Sequence, residues 1–477
     1  MAERVFCIDL GSEYTKVGLR RDPSADGQLV NDTGIEDTDF CYPSVIVVDR
    51  SGPSPVAEFG KKAAGRKASN GIEVKSNWKQ DLFTTAGPDE PTATPLETFL
   101  RSDDLTRLAG QHGISPAQLS QLRQMVTAAR ELLTSTGVRP VNRAAQKQDY
   151  AAALAHRFFH WLRQEVLREC TRLPSAGLNY ADIPVRVTVP AFAYGADVTT
   201  NPGCRLLTTA VTNAGWRLHP TLPVVTEPYA NAIGVLTEGR NATKKGKADY
   251  GKLFARGPLI TAGKDHAKYG PYRAVVIDVG GYTIDLTMLT LRPDGLLATD
   301  LDRVFDVAQK SIPLGLSALD ARVFAAIPPE KAAWLRGQAW QDFDGCRVSL
   351  YTEMKPVRSG TLGLIGGSGP EGDAIRECVE QFARDIAVEV QKFLPDFGER
   401  GMNELILTGG GAGVPAVRAA VLAAAAAGGR SFTKIHSPEL KKEAGKLVNK
   451  LDARFARGAA AVGGTSLYFE PSLSGST

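Results

Sequence analysis

Hydrophobic positions along the chain follow two patterns, short continuous apolar runs and longer stretches with a period near 3.6, which together predict strands interleaved with helices. The runs at 3–20 and 44–49 (SVIVVD) read as strands joined by the turn-rich segment 21–43. From about 80 to 180 the period becomes helical. Ser115 followed by Pro116 has the form of a helix N-cap with proline at the first helical position; Leu119, Leu122, Val126, Ala129 and Leu133 then share a face, and Gly137 ends it. A second helix from about Asp149 aligns Leu154, Phe158, Leu162 and Val166. A strand returns at 185–190 (VRVTVP), helical spacing at 205–214, and another strand at 221–225, running into Thr226-Glu227-Pro228. No period holds between Leu236 and Tyr272, a basic, glycine-containing stretch that reads as an inserted loop. Strands follow at 274–291, then a helix after Gly315 carrying Leu316, Leu319 and Val323. A long amphipathic helix with Ile375, Val379, Phe382, Ile386, Val390 and Phe393 leads into ELILTGGGAGVP, a strand, a glycine turn and a helix from near Pro415. Such alternation gives sheets covered by helices, an α/β fold.

Within this pattern the segment Val5–Leu19, VFCIDLGSEYTKVGL, has a near-echo at Val275–Leu289, VVIDVGGYTIDLTML. Each copy is an apolar strand ending in Asp, a small-residue turn and a second apolar strand, so each reads as a β-hairpin with a carboxylate at its mouth. The turns Gly11-Ser12-Glu13 and Gly280-Gly281-Tyr282 leave successive backbone amides uncovered, and a concavity of amides is an anion site. Ser12, Thr15 and Thr283 add hydroxyl donors. Asp9 and Asp278 repel phosphate but can hold the waters of a Mg²⁺ that bridges phosphates, and Asp285 can face the same ion. The pair therefore predicts a nucleotide triphosphate with its metal gripped from two sides. A third glycine turn, Gly409-Gly410-Gly411, adds a backbone approach to the same ligand from a strand-to-helix junction.

Composition adds limits. The chain has 477 residues, 43% hydrophobic and 23% charged, enough for two domains or one large bilobed one. A net charge of +4 without clustered arginines and aromatics does not point to nucleic acid. Cys7, Cys41, Cys170, Cys204, Cys346 and Cys378 show no C-x-x-C spacing and read as reduced core thiols. No signal-peptide-like stretch follows Met1, and the apolar run Val421–Gly429 is too short to span a bilayer, so a soluble, cytoplasmic protein without membrane insertion is expected.

Six segments in order resemble the nucleotide-binding domain of the actin, hexokinase and DnaK-type heat-shock chaperone superfamily. IDLGSEYTKVGL is similar to its first phosphate motif, VIDVGGYTIDL to its second, and LILTGGGAGVPAV to its adenosine motif. VRVTVPAFA, TEPYANAIG and DARFARGAA are similar to the chaperones' Val-Pro-Ala strand, Glu-Pro segment and closing helix. The resemblance implies a bilobed actin-like ATPase fold of two RNase H-like lobes, each a mixed five-stranded sheet flanked by helices. Lobe I would span 1–215, with a helical insertion around 80–175; lobe II would span 216–477, with the basic loop 237–272 and the adenosine motif 404–418.

It also implies roles. Asp9, Asp278 and Asp285 would arrange Mg²⁺ mostly through water. Gly11, Ser12, Glu13 and Tyr14 would form one phosphate loop, and Gly280, Gly281, Tyr282 and Thr283 the other. Glu227 would orient the attacking water and Lys75, in EVKSNWK, would reach the transferring phosphate. Gly409, Gly410, Gly411, Glu353, Lys355 and Asp452 would contact the rest of ATP or ADP, and Pro190 would take part in signalling between the lobes. Two departures stand out. Tyr282 replaces a third glycine of the heat-shock pattern and is closer to some plasmid-segregation bacterial actins, and only about ten residues follow the closing helix, where a chaperone continues into a peptide-binding domain. Three functions stay open: an ATPase switch acting through protein partners or co-chaperones, a self-associating filament, and a small-molecule kinase. No carboxylate motif for an acceptor hydroxyl stands between the hairpins, which disfavours the kinase.

Overall fold

The computed structural model describes residues 4–21, 27–30, 41–76, 78–83, 143–173, 178–191, 201–235, 272–291, 305–397, 402–432, 434–437, 448–450 and 453–465, with a few positions of 115–124. The architecture is mixed α/β. Strands β1 (Val5–Leu10), β2 (Tyr14–Arg20), β3 (Gln28–Leu29) and β4 (Tyr42–Pro43) open the chain, and β5 (Ile46–Asp49), β6 (Val56–Phe59) and β7 (Ile72–Lys75) form a small antiparallel sheet in the order β6-β5-β7. With β8 (Val185–Val189) and β9 (Val224–Thr226) the first large sheet runs β3-β2-β1-β8-β9, β4 pairing with β2. The second is built from β10 (Tyr272–Val279), β11 (Ile284–Leu291) and β12 (Phe305–Ile312). After the two-residue pair β13 (Val357–Arg358) and β14 (Leu364–Ile365), it takes in β15 (Met402–Thr408), β16 (Lys434–Ser437) and β17 (Val448–Lys450), in the order β12-β11-β10-β15-β16-β17.

The two sheets share one plan. A hairpin is antiparallel in both, β1–β2 and β10–β11, and the first strand of each hairpin pairs in parallel with a later strand, β8 or β15. Such central strands are covered on both faces, which is why they read as continuous apolar runs rather than alternating ones. Every residue of β1 is buried. Six strands in each sheet, among the described residues, exceed the five expected. The expected break at 215 does not divide the sheets, since β9 lies beyond it and completes the first.

Helices cover the sheets as their periodicity predicts. In Pro370–Phe393, Ile375, Val379, Phe382, Ile386 and Val390 are buried, with proline in the first turn and Glu371 and Asp373 beside the positive end of the helix dipole. They join β10, β11 and β15 residues in one core. In the long helix Arg143–Cys170, Leu154, Phe158, Leu162 and Val166 are buried. Glu227–Ile233 packs against Ala453–Gly463, bringing the Glu-Pro segment onto the closing helix.

Residues Thr84–Ala151 form a second compact unit. Within it Gln118 N–H donates to Ser115 Oγ at 3.3 Å and Ser115 N–H donates to Gln118 Oε1 at 2.9 Å, a reciprocal helix cap. The remainder of the helix expected to Gly137 and most of the basic loop 237–272 lie outside the described residues. All six cysteines are free thiols, five of them buried. Among the described residues no helix is long and apolar enough to cross a membrane.

Candidate functional site: a cleft between two hairpin turns

A cleft enclosing about 1230 Å³, including space open to solvent, lies where the turns of the two large hairpins meet. Asp9, Gly11, Ser12, Glu13, Tyr14, Pro190, Glu227, Asp278, Gly280, Gly281, Tyr282, Thr283, Asp285, Gly409 and Gly410 all line it. Residues as far apart in sequence as Asp9 and Gly410 are thus brought together by sheet topology.

The first turn is braced from behind. Ser44 donates its hydroxyl to the Gly11 carbonyl at 2.7 Å and its amide to the Glu13 carbonyl at 2.8 Å. Thr15, expected as a ligand donor, instead turns inward to Ser44 Oγ at 2.9 Å. In the second turn the carbonyls are taken by the helix Leu316–Ala326: the amides of Gly315, Leu316 and Ser317 donate to Tyr282, Gly280 and Gly281. That helix N-terminus is therefore satisfied by protein. The amides of Ser12, Glu13, Gly281, Tyr282 and Thr283 have no backbone partner among the described residues, leaving donors at the cleft surface.

Four carboxylates crowd the floor. Asp9 accepts from Lys16 Nζ at 3.1 Å and from the Thr188 hydroxyl at 3.1 Å. Burial works against the Lys16 charge, but the acidic groups around it, Asp9 foremost and then Cys41 and Asp278, together outweigh burial and hold the ammonium above its ordinary pKa. Asp278 accepts from Asn231 Nδ2 at 2.5 Å, and the same amide reaches Thr408 Oγ1 at 2.8 Å; Asp278 Oδ1 is buried with no partner among the described residues. Burial, reinforced by Asp9 and Glu227 against the opposing pull of Lys16, raises the Asp278 carboxyl to about 7. Asp285 accepts from Thr283 Oγ1 at 2.8 Å and from Ser311 Oγ, and burial raises it to about 6. Glu227 is bonded to Lys79 Nζ, and burial holds its carboxyl above the usual range despite that lysine.

An orphaned buried carboxylate oxygen among carboxyls pushed upward by desolvation fits a cation. Among the described residues no three His, Cys, Asp or Glu side chains are grouped closely enough to hold an ion directly.

Several expected residues are elsewhere. Lys75 ends β7, half-exposed, with its ammonium 2.8 Å from Glu73 and outside the cleft lining. Lys79, one helical turn further on in Trp78–Phe83 and 5% exposed at its side chain, occupies the cleft. Glu353 and Lys355 pair with each other at 3.1 Å, largely exposed and outside the lining. Upstream of them the helix Trp340–Arg347 continues as a π-helical turn through Thr352, and it is Asp344, Arg347, Val348, Tyr351 and Thr352 that face the cleft. Gly411 is buried under Val279, leaving Gly409 and Gly410 at the surface. Gly409 has φ of +85°, and a Cβ there would collide with the Asp278 carboxylate and the Val279 backbone, so only glycine passes the chain so close. Asp452 lies outside the described residues.

Lys16, Lys79, Asn231, Asp344 and Arg347 were not anticipated. Lys16 had a signal: an ionisable residue inside an apolar strand, in register with Asp9. Arg347 ties the two sides together. Its Nε donates to Asp320 Oδ1 at 3.0 Å, Nη2 to Asp320 Oδ2 and Nη1 to Glu13 of the first turn, while Tyr14 OH donates to Asp344 Oδ2 at 3.0 Å. Nearby, Trp340 packs with Val45, Val47, Ala63 and Ala64 of the small sheet and its adjoining helix.

No protein-family model matches the sequence, and no curated protein matches it.

Proposed function

We propose that the protein binds ATP with Mg²⁺ in this cleft and hydrolyses it slowly, as a nucleotide-dependent switch with a bilobed actin-like fold, acting through partner proteins. The observation that carries the reading is the convergence of two similar hairpin turns, uncovered amides outward and an aspartate behind each, on one cleft. The shared strand order of the two large sheets supports two RNase H-like lobes related by internal repetition. The motif resemblance to the heat-shock branch supports the switch.

In this reading the amides of the two turns hold phosphate oxygens. Bound Mg²⁺ would neutralise charge on those oxygens, held through its waters by Asp278, Asp285 and Asp9. Lys79 stabilises charge growing on the transferred phosphoryl group, the role first expected of Lys75. Glu227, kept by burial at a basicity useful near neutral pH, orients the attacking water and accepts its proton at a carboxylate oxygen. Contacts spanning the cleft, Glu13–Arg347 and Tyr14–Asp344, are the ones a nucleotide would rearrange when the lobes move.

Phosphate release and sedimentation followed in one tube test this directly. Slow, Mg²⁺-dependent release without pelleting is expected, and Glu227→Ala should still bind ATP while hydrolysing it about 100-fold or more slowly. Pelleting only with ATP would replace the switch by a filament. Undiminished hydrolysis in the Glu227 variant would remove that residue from the mechanism.

A further inference from the structure

Glu13 is an acidic residue in a turn built to receive an anion. Its side chain crosses to the opposite turn: a Cβ placed on Gly281 would lie 2.8 Å from the Glu13 carboxyl carbon and 2.9 Å from its Oε1. On its other side the carboxylate meets the Arg347 guanidinium. It therefore lies between an arginine and a glycine turn whose amides lack backbone partners, the surroundings a phosphate oxygen would seek.

Arg347 does not depend on Glu13 for its position. Asp320 grips the guanidinium through Nε and Nη2, Tyr351 OH supports Asp320 Oδ1 at 2.9 Å, and the rings of Trp340 and Phe343 lie 5.0 and 4.8 Å from the guanidinium carbon. The remaining edge, Nη1, is the one turned to Glu13. The neighbourhood also holds one carboxylate more than it needs. Asp320 satisfies the arginine, Asp344 is bonded by Tyr14, and burial raises the Glu13 carboxyl above its ordinary pKa.

Resting on the nucleotide reading, we propose that the Glu13 carboxylate stands in for a ligand phosphate: it fills the gap between the two turns and occupies Arg347, and a nucleotide's phosphate binds by displacing it and taking over the guanidinium. Arg347 is then a phosphate-reading residue, and the Glu13–Arg347 bond ties the first turn to the helix Trp340–Arg347 until a phosphate breaks it. Because a competing internal contact lowers apparent affinity by the fraction of molecules it occupies, removing the carboxylate should tighten binding.

The test is calorimetric titration of the whole protein with Mg-ATP, Mg-ADP and tripolyphosphate, comparing wild type, Glu13→Gln and Arg347→Lys. Glu13→Gln keeps the shape of the side chain and removes its charge; it should bind Mg-ATP about tenfold tighter, the gain expected if nine molecules in ten hold the internal contact. Arg347→Lys keeps a cation beside Asp320 but loses the fork, and should bind Mg-ATP about tenfold more weakly. Equal or weaker binding by Glu13→Gln, with wild type binding normally, overturns the stand-in role alone. No binding of nucleotide by wild type or by Glu13→Gln overturns the nucleotide reading, and the inference with it.

Discussion

The two hairpins are alike in trace and unlike in charge. In the first, register places Lys16 directly across from Asp9, and their side chains form a buried ion pair. In the second, register places Asp285 across from Asp278, and burial raises both carboxyls, to about 6 and 7. One hairpin thus carries its own counterion and the other asks for one. The two hairpins share the turn and differ at one cross-strand position, Lys16 in the first and Asp285 in the second.

The strongest way to break this comparison is to neutralise each aspartate in turn. Asp9→Asn and Asp278→Asn should both reduce ATP turnover by about 100-fold or more, measured as phosphate release. Their stabilities should diverge. Asp9→Asn leaves Lys16 buried without its carboxylate and should cost about 3–5 kcal/mol in denaturant unfolding without ligand. Asp278→Asn removes a charge that burial already disfavours, and should leave the ligand-free protein unchanged or more stable. Equal destabilisation by both would show that the hairpins are electrostatically equivalent.

The turns should differ as well, by a smaller margin. A Cβ at Gly11 would run into the Tyr14 backbone carbonyl, which cannot move without breaking the hairpin, so Gly11→Ala should cost about 2 kcal/mol or more. At Gly281 the obstacle is the Glu13 side chain, which can swing aside, so Gly281→Ala should cost about 1 kcal/mol or less. Thermal or denaturant unfolding of the two variants decides it.

The smallest expected effect is the pH dependence, and it sharpens the asymmetry. Between about pH 4 and 7 the folded protein holds protons at Asp278 and Asp285 that the unfolded chain has released. Their contribution to ligand-free stability is therefore full at low pH and is lost as pH rises through the folded values near 6 and 7. A divalent cation wants those carboxylates ionised, so the rise in melting temperature on adding Mg²⁺ should be larger at pH 8 than at pH 5.5, by about 2–4 °C. Asp278→Asn should flatten the difference, and a Mg²⁺ effect independent of pH would contradict it.

Much of this was legible in the sequence where local pattern and structure coincide. Largely apolar runs marked β1 and β10, and a 3.6 period marked Pro370–Phe393 with the side chains it buries. The hairpin echo located both turns and Asp9, Asp278 and Asp285, because a strand-turn-strand fixes its own geometry. Glu227 and Gly409 also joined the cleft, each standing at the end of a strand. What pattern missed depends on contacts across the fold. Lys75 and Lys79 are one helical turn apart in sequence; only the short helix Trp78–Phe83 packing under Ser44, where Trp78 Nε1 donates to the Ser44 carbonyl at 2.8 Å, turns Lys79 inward and leaves Lys75 on an edge strand with Glu73. Glu353 and Lys355 have the right chemistry, but the helix ends at a π-helical turn before them, and Arg347 instead points into the cleft. Asp320, which holds that arginine, lies 27 residues away on another helix, a spacing no local period reveals.

Calorimetric titration of ATP into wild type and Asp278→Asn, each with Mg²⁺ and with the metal chelated, tests the central claim most directly. Wild type should show saturable binding that strengthens at least about tenfold with Mg²⁺, and Asp278→Asn should lose that Mg²⁺ enhancement. Absence of ATP binding by wild type, or an undiminished Mg²⁺ enhancement in the variant, would contradict the claim.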